Sequence, residues 1–155
     1  MFDNIVNFFH LVATSVWIGG AFYAHFILLP AVRQIDPQQG GKLQGIIAKR
    51  FSIAAWTSII VLLITGFLKT PDGLLFDTST DLGMTLFIKH LLIGGVIIVG
   101  LSIGLYVVPN MRKNSPKPGE APSDAFKSYQ KRLGVLASVN LVLGLAVVFC
   151  ASFLW

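Results

Sequence analysis

Residues 82–108 read LGMTLFIKHLLIGGVIIVGLSIGLYVV, and this stretch decides the fold. It runs well past the ~20 residues that a helix needs to cross a hydrocarbon core. Its only charged residue is Lys89, and His90 follows it directly. A soluble helix alternates polar and apolar faces, and this stretch does not. Three others match it: Ile5–Val32, Phe51–Leu68 and Leu133–Trp155. The whole chain is 54% apolar and 12% charged, about half the charged fraction of an ordinary soluble domain. The sequence therefore predicts an all-α membrane protein of four transmembrane helices. Short connections make an antiparallel up-and-down bundle the default, with residues 1–155 as one membrane domain.

The first span is not read as a signal peptide. It lacks a basic leading region, runs too long, and contains two histidines. The excess positive charge is a topology signal and gives no reason to expect nucleic acid. Arg33, Lys42, Lys49 and Arg50 fall between spans one and two; Arg112, Lys113, Lys117, Lys127, Lys131 and Arg132 fall between spans three and four. The second loop sets Lys69 against Asp72, Asp77 and Asp81. The positive-inside rule then makes loops one and three cytoplasmic and turns both termini to the outer, periplasmic side of an inner membrane. Loop three, residues 109–132, carries a Pro-, Ser- and Gly-containing run and reads as a flexible connector. Loop one is expected to hold a short interfacial helix around Leu43, Ile46 and Ile47. In loop two, Pro71-Asp72-Gly73 is a turn signal, with Leu74-Leu75-Phe76 as a small lid.

Ionisable side chains at membrane depth are costly and mark functional sites. Counting ~1.5 Å per helical residue puts His10 about 10 Å and His90 about 13 Å inside the outer boundary. His25 lies about 12 Å from the cytoplasmic boundary, outside that level. On span one, His10, Thr14, Trp17, Ala21 and His25 share a stripe; on span three, His90, Gly94, Ile97, Leu101 and Gly104 do the same. Thr14 and Gly94, one turn from the histidines, are expected to leave room for a flat ligand.

Two level imidazoles suit haem b, held from both faces of the iron within an apolar bundle. Lys89 or Lys69 is then placed to meet a propionate. One-electron exchange with a quinone or a redox protein follows as the expected activity, in the monomer or an oligomer. Copper is the alternative, with His10 and His90 as ligands and Cys150, Met84 and His25 as secondary candidates. A lone cysteine excludes an intramolecular disulfide and is more often an inert small residue. His25 also suits a structural or proton-relay role near Tyr106, and Asn140 suits helix packing or a hydrogen bond to His25. Trp17 and Trp56 read as packing residues and Trp155 as an interfacial anchor. A structural subunit without any cofactor is the remaining alternative.

The string HLVATSVWIGG at residues 10–20, continuing to Leu29-Pro30-Ala31, resembles the first helix of the copper-resistance D (CopD-like) membrane domain. Arg50-Phe51-Ser52 through Leu63-Ile64-Thr65-Gly66, and Ile88-Lys89-His90-Leu91-Leu92, are similar to the next two helices of that family. The resemblance implies copper handling in or across a bacterial inner membrane, although larger members carry additional helices or a periplasmic domain. His10, Trp17, Gly19 and Lys89 also resemble positions in HemJ-type membrane proteins, which oxidise protoporphyrinogen. That second resemblance implies haem b and an enzymatic role, and the chain departs from it at Leu29-Pro30-Ala31.

Overall fold

The computed structural model describes residues 1–32, 34–70, 78–117 and 120–154. Among them there is no strand, and four helices are long and apolar enough to cross a membrane. We label them α1 (Phe2–Val32), α2 (Pro37–Lys69), α3 (Asp81–Lys113) and α4 (Asp124–Ser152). They form two compact units, residues 1–76 and 77–155, each built on an antiparallel helical hairpin. Large apolar side chains such as Phe8, Phe67, Leu91 and Leu105 are exposed. Lipid is the solvent that such a surface requires, because backbone groups are satisfied within each helix and only apolar side chains face out.

Local chemistry sets the helix starts. At α2, Asp36 Oδ1 accepts the Gln39 N–H at 3.1 Å, and Pro37 follows at the first helical position, where its missing donor costs nothing. At α3, Thr80 Oγ1 accepts the Gly83 N–H at 3.1 Å. At α4, Ser123 Oγ accepts the Phe126 N–H at 3.2 Å. Asp81 and Asp124 add negative charge to the first turns, where the helix dipole favours it.

The leading helix of each hairpin contains a π turn, Ala24–Leu28 in α1 and Ile103–Val107 in α3. Each turn ends two residues before a proline, Pro30 or Pro109. Proline has no N–H, and its ring clashes with the carbonyl four residues back; the wider turn absorbs that conflict without breaking the rod.

The helices are longer than the sequence predicts. The expected interfacial segment around Leu43, Ile46 and Ile47 is the first part of α2, because no proline interrupts the chain between Pro37 and Lys69. Likewise, α3 continues through Pro109 to Lys113, and α4 starts at Asp124, well before Arg132. The Ser123 cap accounts for that early start. Pro71-Asp72-Gly73, the lid Leu74-Leu75-Phe76, Arg33 and the anchor Trp155 lie outside the described residues.

In the first hairpin, partners run Asn7 with Lys69, His10 with Thr65, Gly20 with Phe51, and Val32 with Gly40. Numbers rise on one helix as they fall on the other, which fixes the antiparallel register. In the second hairpin, Gly95 meets Leu143 and Tyr106 meets Tyr129. Gly20 is a point of closest approach: a Cβ there would stand 2.6 Å from the Phe51 ring, whereas one at Gly19 would meet nothing within 4 Å.

Gly20→Val should therefore destabilise the first hairpin by about 1–3 kcal/mol through overpacking. Gly19→Ala should leave stability unchanged, and Phe51→Ala should recover part of the Gly20→Val loss. Thermal unfolding in micelles checks this; equal losses at Gly19 and Gly20 would show that the seat for Phe51 does not matter.

Candidate metal site

His10 stands on α1 against α2. Its Nδ1 lies 2.7 Å from Thr65 Oγ1, and its ring edge faces Gly66, where an added Cβ would stand 3.9 Å from Cε1. Thr65 is buried, and its hydroxyl donates to the Val61 carbonyl at 2.7 Å. A hydroxyl has one proton to give. With that proton on Val61, the Thr65 oxygen accepts from His10, so Nδ1 carries the hydrogen and Nε2 carries the lone pair. Such a bond fixes tautomer and ring orientation, as the outer partners of metal-bound histidines do.

His90, on α3, reaches the same state by another route. Its Nδ1 lies 2.6 Å from the Leu86 carbonyl oxygen. A carbonyl only accepts, so Nδ1 is again the protonated nitrogen and Nε2 the basic one. Both imidazoles are half-buried. In each, Nδ1 is the nitrogen committed to a protein oxygen, so Nε2 is the one that would meet copper or an axial haem position.

The neighbouring residues divide. Gly94, one turn beyond His90, faces open space where a Cβ would sit, so room exists there. The Thr14 hydroxyl donates at 2.8 Å to the backbone carbonyl of His10, which turns it back onto its own helix. Trp17 is 6% exposed and packs in the core, as its apolar bulk requires. Lys89 and Cys150 lie within electrostatic reach of each other across α3 and α4. Met84 is exposed and precedes His90 by six residues, a spacing that puts it on a different helix face. Within neither hairpin do three His, Cys, Asp or Glu side chains stand together as a metal cluster among the described residues.

His25 lies in the first π turn, and its Nδ1 is buried with no hydrogen-bond partner among the described residues; Asn140 Oδ1, on α4, is in the same condition. Tyr106, in the second π turn, packs edge-on against Tyr129, with Arg132 5.6 Å from the Tyr129 ring centre. Two residues gain importance that sequence reasoning did not assign them. Thr65 orients His10, and Asn7 accepts a hydrogen bond from Lys69 Nζ at 2.6 Å. The available signal was spacing: Thr65, one turn before Lys69, is level with His10 on the facing helix.

One cavity, about 280 Å³, opens at the terminal end of the first hairpin and is lined by Phe2, Asp3, Val6, Asn7, Leu68 and Lys69. A second, about 330 Å³, is an apolar groove along Val12, Val16, Ala54 and Val61. Neither is lined by His10 or His90.

Comparison with known proteins gives one family match, to the copper resistance protein D (CopD) family, over residues 45–154. No curated protein and no solved structure matches. The matched stretch takes in His90, Lys89 and Cys150 but starts beyond the string at residues 10–20. It supports the first of the two resemblances and is silent on the HemJ-type proteins. Four helices of membrane-spanning length and a match over more than half of the residues lead to one assignment: the chain is a multi-pass membrane protein of the copper resistance protein D family.

Proposed function

We propose that this chain handles copper in a bacterial inner membrane, with His10 in the first hairpin and His90 in the second each serving as a ligand for the ion as cargo. The observation that carries this reading is the repeated geometry: in each histidine Nδ1 is committed to a protein oxygen, so that Nε2 is the nitrogen proposed to meet the ion. Imidazole nitrogen is a good copper ligand, and neutral imidazole needs no counter-charge inside lipid. The family match agrees with copper as the cargo. The distribution of Lys and Arg supports an orientation with both termini outside, so that His10 and His90 lie toward the periplasmic face.

A second reading keeps the imidazoles and changes the ligand to haem b, with one-electron transfer to a quinone or redox partner. It is supported by the same committed Nδ1 at each histidine, with Nε2 as the remaining ring nitrogen. An axial haem position asks for a single nitrogen.

The purified protein in micelles decides between them. Copper bound in stoichiometric amount, without a Soret band, is the expected result. His10→Ala and His90→Ala should each weaken copper binding at least about tenfold, and His25→Ala should leave it intact. Thr65→Val, which keeps the shape and removes the acceptor, should weaken binding at His10 about 10–100-fold with unchanged helix content. Unaltered copper binding in the His10→Ala/His90→Ala double variant would sink the copper reading, and a sharp Soret band lost in the same variants would establish the haem one.

A further inference from the structure

The π turn before Pro109, Ile103–Val107, carries Tyr106 near the loop end of α3. Asn110 Nδ2 donates to the Tyr106 carbonyl at 2.7 Å, which satisfies a backbone oxygen of the widened turn. The Tyr106 ring meets the Tyr129 ring edge-on at 6.2 Å, and the two hydroxyl groups are close enough to interact. Arg132, one turn further along α4, sets its guanidinium 5.6 Å from the centre of the Tyr129 ring. An aromatic face thereby orients this planar cation, while the arginine itself stays exposed.

Charge in this region is unbalanced. Residues 109–132 carry six Lys and Arg against Glu120 and Asp124. Arg112 and Lys113 lie in the last turn of α3, where the helix dipole favours cations, and Lys127 pairs with Asp124 at 3.7 Å. Lys131 and Arg132 meet no carboxylate among the described residues. Beyond Arg132, the exposed residues Val135, Val139 and Val142 follow at steps of three, four and three, on one face of α4. The hairpin thus presents a planar cation beside two phenols, then a continuous apolar run. A phospholipid has the same order, an anionic phosphate followed by acyl chains. An acidic protein segment or a free anion would match only the first part.

We propose that Tyr106, Tyr129 and Arg132 bind the phosphate of an anionic glycerophospholipid, with an acyl chain lying along Val135, Val139 and Val142. Guanidinium and hydroxyl hydrogens donate to the phosphate oxygens, Lys131 adds positive charge, and the Tyr129 face holds the guanidinium in place. The site lies within the second hairpin, remote along α3 from His90, and does not depend on the copper reading.

The test is electron paramagnetic resonance of spin-labelled phosphatidylglycerol and phosphatidylcholine, with the full-length protein in phosphatidylcholine nanodiscs. The motionally restricted signal should report association about fivefold stronger for phosphatidylglycerol than for phosphatidylcholine. Arg132→Gln should abolish that preference with unchanged helix content. Arg132→Lys, which keeps the charge and loses the planar fork, should remove most of it. The Tyr106→Phe/Tyr129→Phe double variant, which keeps both rings and loses both hydroxyls, should weaken it. Arg112→Gln removes the same charge from the end of α3 and should leave the preference largely intact. Equal losses in Arg112→Gln and Arg132→Gln, or a full preference in Arg132→Lys, would mean diffuse surface charge and overturn the site. No preference in the wild type overturns it outright. Glycerophosphoglycerol, the same headgroup without acyl chains, should not displace the labelled lipid when added in excess. Displacement by it or by inorganic phosphate would show a site for free anions and overturn the lipid assignment.

Discussion

A single hydroxyl proton decides the chemistry of the first hairpin. Thr65 gives it to the Val61 carbonyl and must then accept from His10, which leaves the basic nitrogen of the imidazole at Nε2. Inside a membrane there is little water to supply an alternative partner, so the tautomer is held by protein atoms alone. In the second hairpin the backbone does the same work, with the Leu86 carbonyl holding His90. A side chain in one case and a main-chain oxygen in the other produce the same donor.

Within each hairpin, the helices accept irregularity where proline forces it. The π turns before Pro30 and Pro109 keep α1 and α3 continuous while freeing local backbone geometry. Such turns often accompany functional positions. Here they carry His25 and Tyr106, which differ in how they are satisfied: Tyr106 packs on Tyr129, and His25 keeps a buried nitrogen without a partner among the described residues. A buried orphan of this kind costs about 1–3 kcal/mol.

Much of the fold was legible before any coordinates. Unbroken apolar runs flanked by charge permit only membrane helices, and those four spans are present. Helix ends were read less well, since charged residues were taken as stops. Lys49 and Arg50 lie mid-helix in α2, and Lys127 to Arg132 lie in the first turns of α4, because charge at an interface does not by itself end a helix. The candidate site was legible in its histidines and illegible in its supports. Thr14 has the right spacing beside His10 yet bonds its own backbone, and Thr65 is more than fifty residues away in sequence.

The sequence by itself determined the membrane class, the four spans and the resemblance to the copper-resistance D family. These depend on composition and on a fixed rise per residue, which need no knowledge of neighbours. Only tertiary structure decided which nitrogen of His10 is basic, that Lys69 sits on Asn7, and that Gly20 seats Phe51. Each of these depends on which residues of α2 come opposite α1. That register is set by side-chain fit between two helices, and periodicity along one helix does not contain it.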